Sequence, residues 1–159
     1  MLTLLVGIPG SGKTTYARRR LAEAAANDAV GQVAVVSLET IRRSVFDVDY
    51  IPALDVVVWP LLEAQLRILL EDPSREVIVD NMNLRRCVRD RWVGVARELD
   101  HDAVAVERRI HPEEAWCRVV ERGHPVIARD EFDLLVDRRR KDRAVYGTGG
   151  VDRWIRERT

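Results

Sequence analysis

An apolar run followed at once by a glycine-rich turn with a lysine opens this chain. The run extends from Leu2 to Val6, and the turn reads Gly-Ile-Pro-Gly-Ser-Gly-Lys-Thr from Gly7 to Thr14. This spacing matches the G-x-x-x-x-G-K-[ST] phosphate-binding loop, or P-loop, in its usual place between a strand and a helix. The backbone N–H groups of such a loop form an anion nest at a helix N-terminus, where the helix dipole also favours phosphate. The sequence therefore predicts a nucleotide-binding α/β domain.

The residues of this loop have separate predicted tasks. Lys13 is expected to reach the β and γ phosphates of a nucleotide, and the hydroxyl of Thr14 is expected to join a Mg²⁺ shell. ATP and Mg²⁺ are therefore the expected cofactors. The predicted nucleotide-binding set is Gly7, Pro9, Gly10, Ser11, Gly12, Lys13, Thr14 and Thr15.

Short apolar runs alternate with longer amphipathic stretches along the chain. Four runs are nearly continuous in valine, leucine and isoleucine, as buried parallel strands are. These runs are Leu2 to Val6, Val33 to Ser37, Glu76 to Asp80 and Ala103 to Val106. The stretches between them carry apolar residues at helical spacing. We expect a three-layer α/β sandwich of the P-loop NTPase type, with a parallel sheet, helices on both faces and right-handed crossovers.

Capping signals mark several predicted helix boundaries. Pro112, followed by two glutamates, is expected to begin a helix that Gly123 ends. Asn83 is a good N-cap for a helix beginning near Leu84. A last long helix is predicted from about Asp130 to Tyr146, and a short tail follows it.

Length and composition limit the class of protein. A chain of 159 residues is predicted to form one domain over residues 1–159, and its 26 basic and 26 acidic side chains give no net field toward nucleic acid or membranes. Cys87 and Cys117 lack metal or redox spacing and are expected to be buried free thiols. No apolar run approaches the roughly 18 residues of a membrane span. We therefore expect a cytoplasmic location and no membrane contact, and the sequence indicates no partner protein.

Four separated stretches resemble the kinase domain of polynucleotide 5'-hydroxyl kinases and, more broadly, the small AAA-type P-loop phosphotransferases. The stretches are GIPGSGKTTYARR, SLETIRRS, VIVDNMNL and WCRVVERG, in the order of the family, between Leu2 and about Tyr146. The N-K-x-D motif of GTPases and the L-S-G-G-Q signature of ABC ATPases are absent. The resemblance implies an ATP-dependent kinase that transfers the γ-phosphoryl group to a hydroxyl, with the 5'-hydroxyl of DNA or RNA as the first choice.

The same resemblance implies roles on the acceptor side. Glu39 would accept the proton of the acceptor hydroxyl, although the family usually has aspartate there. Arg42, one turn away, would hold the acceptor's phosphate or the transferring group. Asp80 would orient the acceptor or bind Mg²⁺, and Asn83 would help to bind the acceptor. Three of these residues have a structural alternative: Glu39 would stabilise the helix dipole, Asp80 would only turn the chain off a strand, and Asn83 would only cap a helix.

Arg118 and Arg122 form a pair of like charges four residues apart on the helix that Pro112 begins. Such a pair costs a few tenths of a kcal/mol unless both bind one anion. The resemblance implies that both arginines lie over the triphosphate and stabilise the transferring group, within a mobile helical lid at about residues 111–126. The other arginine clusters are expected to be solvated: Arg85, Arg86, Arg89 and Arg91, and Arg138, Arg139, Arg140 and Arg143.

Two other functions remain open from the sequence. A small-molecule kinase that acts on a nucleotide, sugar or antibiotic hydroxyl would use almost the same residues. An ATP-binding switch would need the P-loop but not an acceptor base such as Glu39. A basic groove leading to Glu39 would favour a strand as acceptor, whereas a closed pocket of a few hundred cubic ångströms would favour a small molecule.

Overall fold

The computed structural model of the chain describes residues 1–48, 50–123, 127–146 and 151–158, without the side chains of residues 143–146. The strands are β1 (Leu2–Val6), β2 (Val33–Val36), β3 (Glu76–Val79), β4 (Ala103–Arg109) and β5 (Arg153–Arg158). The helices are α1 (Lys13–Ala26), α2 (Leu38–Phe46), α3 (Asp55–Leu70), α4 (Arg86–Glu98), α5 (Pro112–Arg122) and α6 (Arg129–Tyr146), with a 3-10 turn at Pro52–Leu54. None of the helices within these ranges is long and apolar enough to cross a membrane.

The five strands form one parallel sheet in the order β2-β3-β1-β4-β5. The P-loop strand β1 therefore lies at the centre, between β3 and β4. This arrangement confirms the predicted parallel α/β sheet of the P-loop NTPase type. The carboxyl ends of the strands share one edge of the sheet, where ligands of such folds bind.

Strand β5 was not predicted from the sequence, which indicated only a short tail. Its sequence RWIRER contains four charged residues in six, so it lacks the apolar run that marks a buried parallel strand. An edge strand needs fewer apolar residues because one of its sides is not covered by another strand. Pairing with β5 also extends β4 to Arg109, three residues beyond the predicted end at Val106.

The sheet is covered on both faces, as a three-layer sandwich requires. Leu2 and Leu4 of β1 belong to the core that packs against α3 and α4, which contains Leu66 and the fully buried Trp92. Leu5 belongs to the core on the α1 side. This alternation follows from the period of two in a strand.

A second, smaller cluster joins the P-loop to the last two helices. Ile8 of the loop packs with Ala115 and Val119 of α5 and with Phe132 and Val136 of α6. The sequence predicted the bounds of α5, since Pro112 is its first residue and Gly123 caps its end with a φ of 66°. The cluster places both helices at the carboxyl edge of the sheet, beside the predicted phosphate site.

Two local predictions, about the last residue of β2 and about the residue that caps α4, are wrong. β2 ends at Val36 because Ser37 is the N-cap of α2, its hydroxyl accepting from the N–H of Thr40 at 3.0 Å. Asn83 does not cap α4, which begins at Arg86, and has a left-handed backbone with a φ of 46°. A serine, aspartate or asparagine after a strand can serve a turn or a cap, and local sequence does not distinguish the two.

The predicted burial of the two cysteines is also wrong, because Cys87 and Cys117 are both exposed free thiols. On α5 the buried face carries Ala115 and Val119, four residues apart. Cys117 lies two residues from each and therefore on the opposite side of the helix. Cys87 likewise lies outside the buried face of α4, which begins with Arg89.

Candidate active site

The P-loop has the backbone geometry of an anion nest. Gly10 and Gly12 adopt positive φ values of 78° and 80°, and Gly12 is the N-cap of α1. A side chain on Gly10 would place its Cβ 2.9 Å from the carbonyl carbon of Ala115, and closer still to the oxygen. Glycine is required there because the loop passes so close to the backbone of α5. The loop is therefore held between α1 and α5.

Lys13 lies across this loop. Its Nζ donates hydrogen bonds to the carbonyl oxygens of Gly7 and Ile8, each at 3.0 Å. Burial lowers the pKa of Lys13 to about 8, a shift that Asp80 opposes and that Arg122 and Arg139 reinforce. The charges of Asp80, Arg122 and Arg139 thus act on the Lys13 ammonium. The excess of positive charge at the loop suits a polyanion.

We expect nucleotide affinity to fall as the pH rises through about 8. The Lys13 ammonium of the free protein has a pKa of about 8, and the neutral amine that forms above this value offers no charge to a phosphate. Affinity should then fall by up to about tenfold per pH unit. Titration of a fluorescent ATP analogue at a series of pH values measures this profile. Lys13→Arg should flatten it, and a flat wild-type profile up to about pH 9.5 would contradict the assignment.

The loop after β3 connects the ends of three strands. Gly7 N–H donates to the carbonyl of Met82 at 3.1 Å, and Leu38 N–H donates to the side-chain oxygen of Asn81, also at 3.1 Å. Asn83 Nδ2 donates to the carbonyl of Leu5 at 2.9 Å and, more weakly, to other backbone oxygens. Asn83 is buried and its amide serves the backbone, so its predicted contact with an acceptor stays a prediction.

Asp80, in contrast, is partly exposed and lies where its charge acts on Lys13. Its N–H donates to the carbonyl of Val36 at 2.9 Å, which fixes its backbone at the end of β3. Thr14, in the first turn of α1, has an exposed side chain. The described residues contain no cluster of three acidic, histidine or cysteine side chains that would hold a metal. A hydroxyl and one carboxylate fit Mg²⁺, which commonly takes one or two protein ligands beside nucleotide phosphates.

Glu39 and Arg42 have different environments although they are one turn apart on α2. The Glu39 side chain is 59% exposed and lies 3.6 Å from the guanidinium of Arg43. Arg42 is buried, forms an ion pair with Asp55 at the start of α3, and lies 4.9 Å from the ring centroid of Tyr50. The two predicted acceptor residues are thus on one helix, but Arg42 already has a carboxylate partner.

The two predicted lid arginines also differ. Arg118 donates to Glu114 at 2.6 Å, which offsets the repulsion expected from its neighbour Arg122. Arg122 is exposed, and its charge acts on Lys13. The carboxylate of Glu113 accepts from Arg129 of α6 at 2.9 Å. The pair of Glu113 with Arg129 attaches α5 to α6, while residues 124–126 of the predicted lid lie outside the described residues.

Arg139 and Glu107 were missed as site residues by the sequence analysis. Glu107 is paired with Val6 in the sheet register and is only 2% exposed. Its carboxylate accepts from Arg139 at 2.7 Å and from the indole N–H of Trp154 at 3.3 Å. The prediction that Arg139 is solvated is wrong: it follows Val136 by three residues and shares the buried face of α6.

The prediction that Arg89 is solvated is wrong as well. Arg89 is 2% exposed and donates to the carbonyls of Asn83 and Leu84 at 2.9 and 2.7 Å. Both of these bonds come from Nη1, and Nη2 donates to Asp142 of α6 at 2.8 Å. Arg89 therefore holds the loop after β3 against α6. In the sequence, its burial was indicated by its spacing of three residues from Trp92, which places both on one face of α4.

We expect Glu107→Ala to lower the free energy of unfolding by about 2 to 3 kcal/mol, since it leaves Arg139 without its buried carboxylate. Urea denaturation measures the change. Glu98→Ala is the matched control because the ion pair of Glu98 with Arg67 lies at the surface, and it should change stability little. Equal effects of the two substitutions would show that Glu107 does not hold Arg139.

The family model AAA_33, described as an AAA domain, matches residues 2–144. The chain belongs to the AAA_33 family. This membership confirms the predicted likeness to P-loop kinases and supports nucleotide binding by this AAA_33 domain. No curated protein matches the sequence.

Several solved structures share the fold of this AAA_33 domain. Chaetomium thermophilum Kti12 in complex with ADP-AlF3 is 20% identical, with a TM-score of 0.69 over 99% of this chain and 89% of that chain. A chain of the Pnkp1/Rnl/Hen1 RNA repair complex is 22% identical, with a TM-score of 0.75 over 91% of this chain and 45% of that chain. This domain therefore spans less than half of the latter relative.

A gluconokinase from Sinorhizobium meliloti 1021 is 17% identical, with a TM-score of 0.56 over 98% of this chain and 81% of that chain. At such identities the likeness establishes the fold, and the same fold carries many functions. The assignment of an acceptor therefore depends on the residues of this chain.

Proposed function

We propose that this protein transfers the γ-phosphoryl group of ATP to a hydroxyl, and that the acceptor is the 5'-hydroxyl of a nucleic acid. The observation that carries the proposal is that the P-loop, with Lys13 Nζ 3.0 Å from two of its carbonyl oxygens, lies at the same edge of the sheet as the start of α2, which carries Glu39 and Arg42. Nucleotide binding alone needs the loop, but it does not need a carboxylate and an arginine placed beside it for an acceptor. Phosphoryl transfer does need them, because catalysis here is mainly positioning and charge stabilisation.

On the donor side, the P-loop N–H groups and Lys13 would hold the β and γ phosphates. Thr14 and Asp80 would hold Mg²⁺, whose chemistry when bound is to neutralise charge on these phosphates. Arg122 would stabilise charge on the transferring group, and Arg118 would join it by exchanging Glu114 for a phosphate oxygen. Movement of residues 111–126 as a lid belongs to this proposal, since Arg118 must leave its present partner.

On the acceptor side, Glu39 would take the proton of the hydroxyl as its oxygen attacks the γ phosphorus. The new oxygen–phosphorus bond forms, the bond to the β-phosphate oxygen breaks, and ADP leaves. The exposed position of Glu39 leaves it accessible to an incoming hydroxyl. Arg42 would bind the acceptor's phosphate, with Asp55 fixing the guanidinium beforehand.

A panel of acceptors tests the proposed function. Label from γ-labelled ATP should appear on 5'-hydroxyl DNA or RNA oligonucleotides, and much less on mononucleotides or sugars. Label confined to a mononucleotide, sugar or antibiotic would leave the donor chemistry intact and replace the acceptor. ATP binding without transfer to any acceptor would favour the switch instead.

Glu39→Gln should lower the rate of transfer to a 5'-hydroxyl oligonucleotide by about 10²-fold while ATP affinity stays near that of the wild type. The amide keeps the size of the side chain but cannot accept the proton. Single-turnover transfer measured at saturating ATP separates the two effects. Glu98→Gln, at an exposed glutamate far along α4, is the control. Equal rates for both variants would remove Glu39 from the mechanism.

A further inference from the structure

A groove between the first turns of α3 and α4 belongs to none of the sites described above. Its volume is about 520 Å³, within the range of small-ligand sites. The apolar part of its lining includes Val56, Trp59 and Pro60 from α3 and Val88 from α4. Asp55 and Arg91 supply its charged groups. The groove is thus mainly apolar with two polar groups of opposite charge.

The groove is lined by the first turns of α3 and α4, and the order of the elements places the start of α4 at the edge of the sheet where the P-loop lies. α4 begins shortly after Asp80, at the end of β3. α3 begins at Asp55, the residue that forms the ion pair with Arg42. One carboxylate therefore belongs both to the groove and to the arginine proposed to hold the acceptor. A ligand in the groove would lie beside the acceptor side of the site.

The aromatic wall of the groove is held rigidly. Trp59 stacks on the buried Trp92, with ring centroids 5.5 Å apart and planes 6° from parallel. The guanidinium of Arg91 lies 5.4 Å from the Trp59 ring centroid and donates to Glu63 at 2.9 and 3.0 Å. A fixed indole beside a fixed cation forms a flat platform that needs little ordering when a ligand binds.

We propose that this groove binds a nucleobase of the acceptor strand, an inference that rests on the proposed function. A nucleobase has apolar faces suited to Trp59 and a polar edge that Asp55 and Arg91 can meet. A sugar or an inorganic anion would leave most of the apolar lining unused. The exposed Arg85, which directly precedes α4, supplies positive charge for the phosphates of the same strand.

The groove thereby supplies the acceptor preference that the P-loop does not. A P-loop with its arginines treats all hydroxyl acceptors alike, since it binds only the donor. Base stacking depends little on base identity, because every base has an aromatic face. The groove should therefore select nucleic acid over other hydroxyl compounds without strong sequence preference.

Val56→Glu tests the groove, with Ile68→Glu as the matched control. Both residues are exposed aliphatic side chains on α3, at 77% and 63% exposure, but only Val56 lines the groove. Val56→Glu should raise the KM for a 5'-hydroxyl oligonucleotide by about tenfold, and Ile68→Glu should not change it. An oligonucleotide with abasic residues at its 5' end should show the same raised KM with the wild-type protein, and Val56→Glu should not raise it further.

Alkylation of Cys87 gives a readout that does not depend on transfer. Cys87 is exposed and lines the groove. In a Cys117→Ser background, a single-stranded oligonucleotide should slow alkylation of Cys87, and an abasic strand of equal length should not. Protection without any transfer to the oligonucleotide would keep the groove and reject the proposed function.

Two other results would reject the groove. Transfer to oligonucleotides with an unchanged KM in Val56→Glu and no protection of Cys87 would reject the groove and keep the proposed function. Equal protection of Cys87 by normal and abasic strands would also reject the groove, since bases would then have no part in binding.

Discussion

Replacing Lys13 with alanine is expected to lower kcat/KM for phosphoryl transfer by about 10³-fold. The substitution removes the cation that lies across the P-loop at 3.0 Å from two of its carbonyl oxygens. Arg122 and Arg139 remain, but Arg139 donates to Glu107 and Arg122 is exposed. Steady-state transfer of label from γ-labelled ATP measures the loss.

Lys141→Ala is the natural control, because Lys13 and Lys141 are the only lysines in the chain. Lys141 is exposed on α6, and its replacement should leave transfer unchanged. Lys13→Ala should not lower the melting temperature at pH 7. Because the folded pKa of about 8 lies below the ordinary lysine pKa of 10.5, the folded state disfavours the ammonium, and this cost is fully present at pH 7. Similar activities of the two variants would contradict the P-loop assignment.

Gly10→Ala is expected to lower the free energy of unfolding by about 2 to 4 kcal/mol and to weaken nucleotide binding strongly. Two causes act together at this position. The backbone φ of 78° strains any side chain, and the new Cβ would overlap the carbonyl group of Ala115. Relief of that overlap requires the loop and α5 to move apart, which displaces the N–H groups that hold the phosphates.

Gly31→Ala separates these two causes. Gly31 has a similar φ of 86°, and nothing lies within 4 Å of a Cβ at this position. The substitution should therefore cost only the backbone strain, about 1 kcal/mol, and should leave nucleotide affinity unchanged. Denaturation curves and nucleotide titrations of both variants make the comparison. If Gly10→Ala proved no worse than Gly31→Ala, close contact between the P-loop and α5 would be disproved.

The sequence predicted those parts of the fold that local chemistry encodes. The four apolar runs correspond to β1 to β4, and Pro112 and Gly123 correctly indicated the two ends of α5. Strand β5 was missed because its charged residues pair with β4 across a long sequence separation, which no local pattern reports. The predicted P-loop is confirmed in its place between β1 and α1.

The site was only partly predictable for the same reason. Lys13 and Asp80 could be predicted as site residues because each occupies a fixed place after a strand. Glu107 and Arg139 were missed because each has an unremarkable local context, and only the sheet register and the packing of α6 bring them to the loop. A high arginine content further hid Arg89, since a single arginine among 24 carries no distinct signal.

The fate of the γ phosphate in a single turnover tests the central claim most directly. Protein in excess over γ-labelled ATP is mixed with Mg²⁺ and a 5'-hydroxyl oligonucleotide, and the label is followed among ATP, inorganic phosphate and the oligonucleotide. We predict that most of the label moves to the 5' end of the oligonucleotide, where a phosphatase can remove it. Label that stays in ATP, or that appears only as inorganic phosphate whichever hydroxyl acceptor is supplied, would contradict a phosphotransferase.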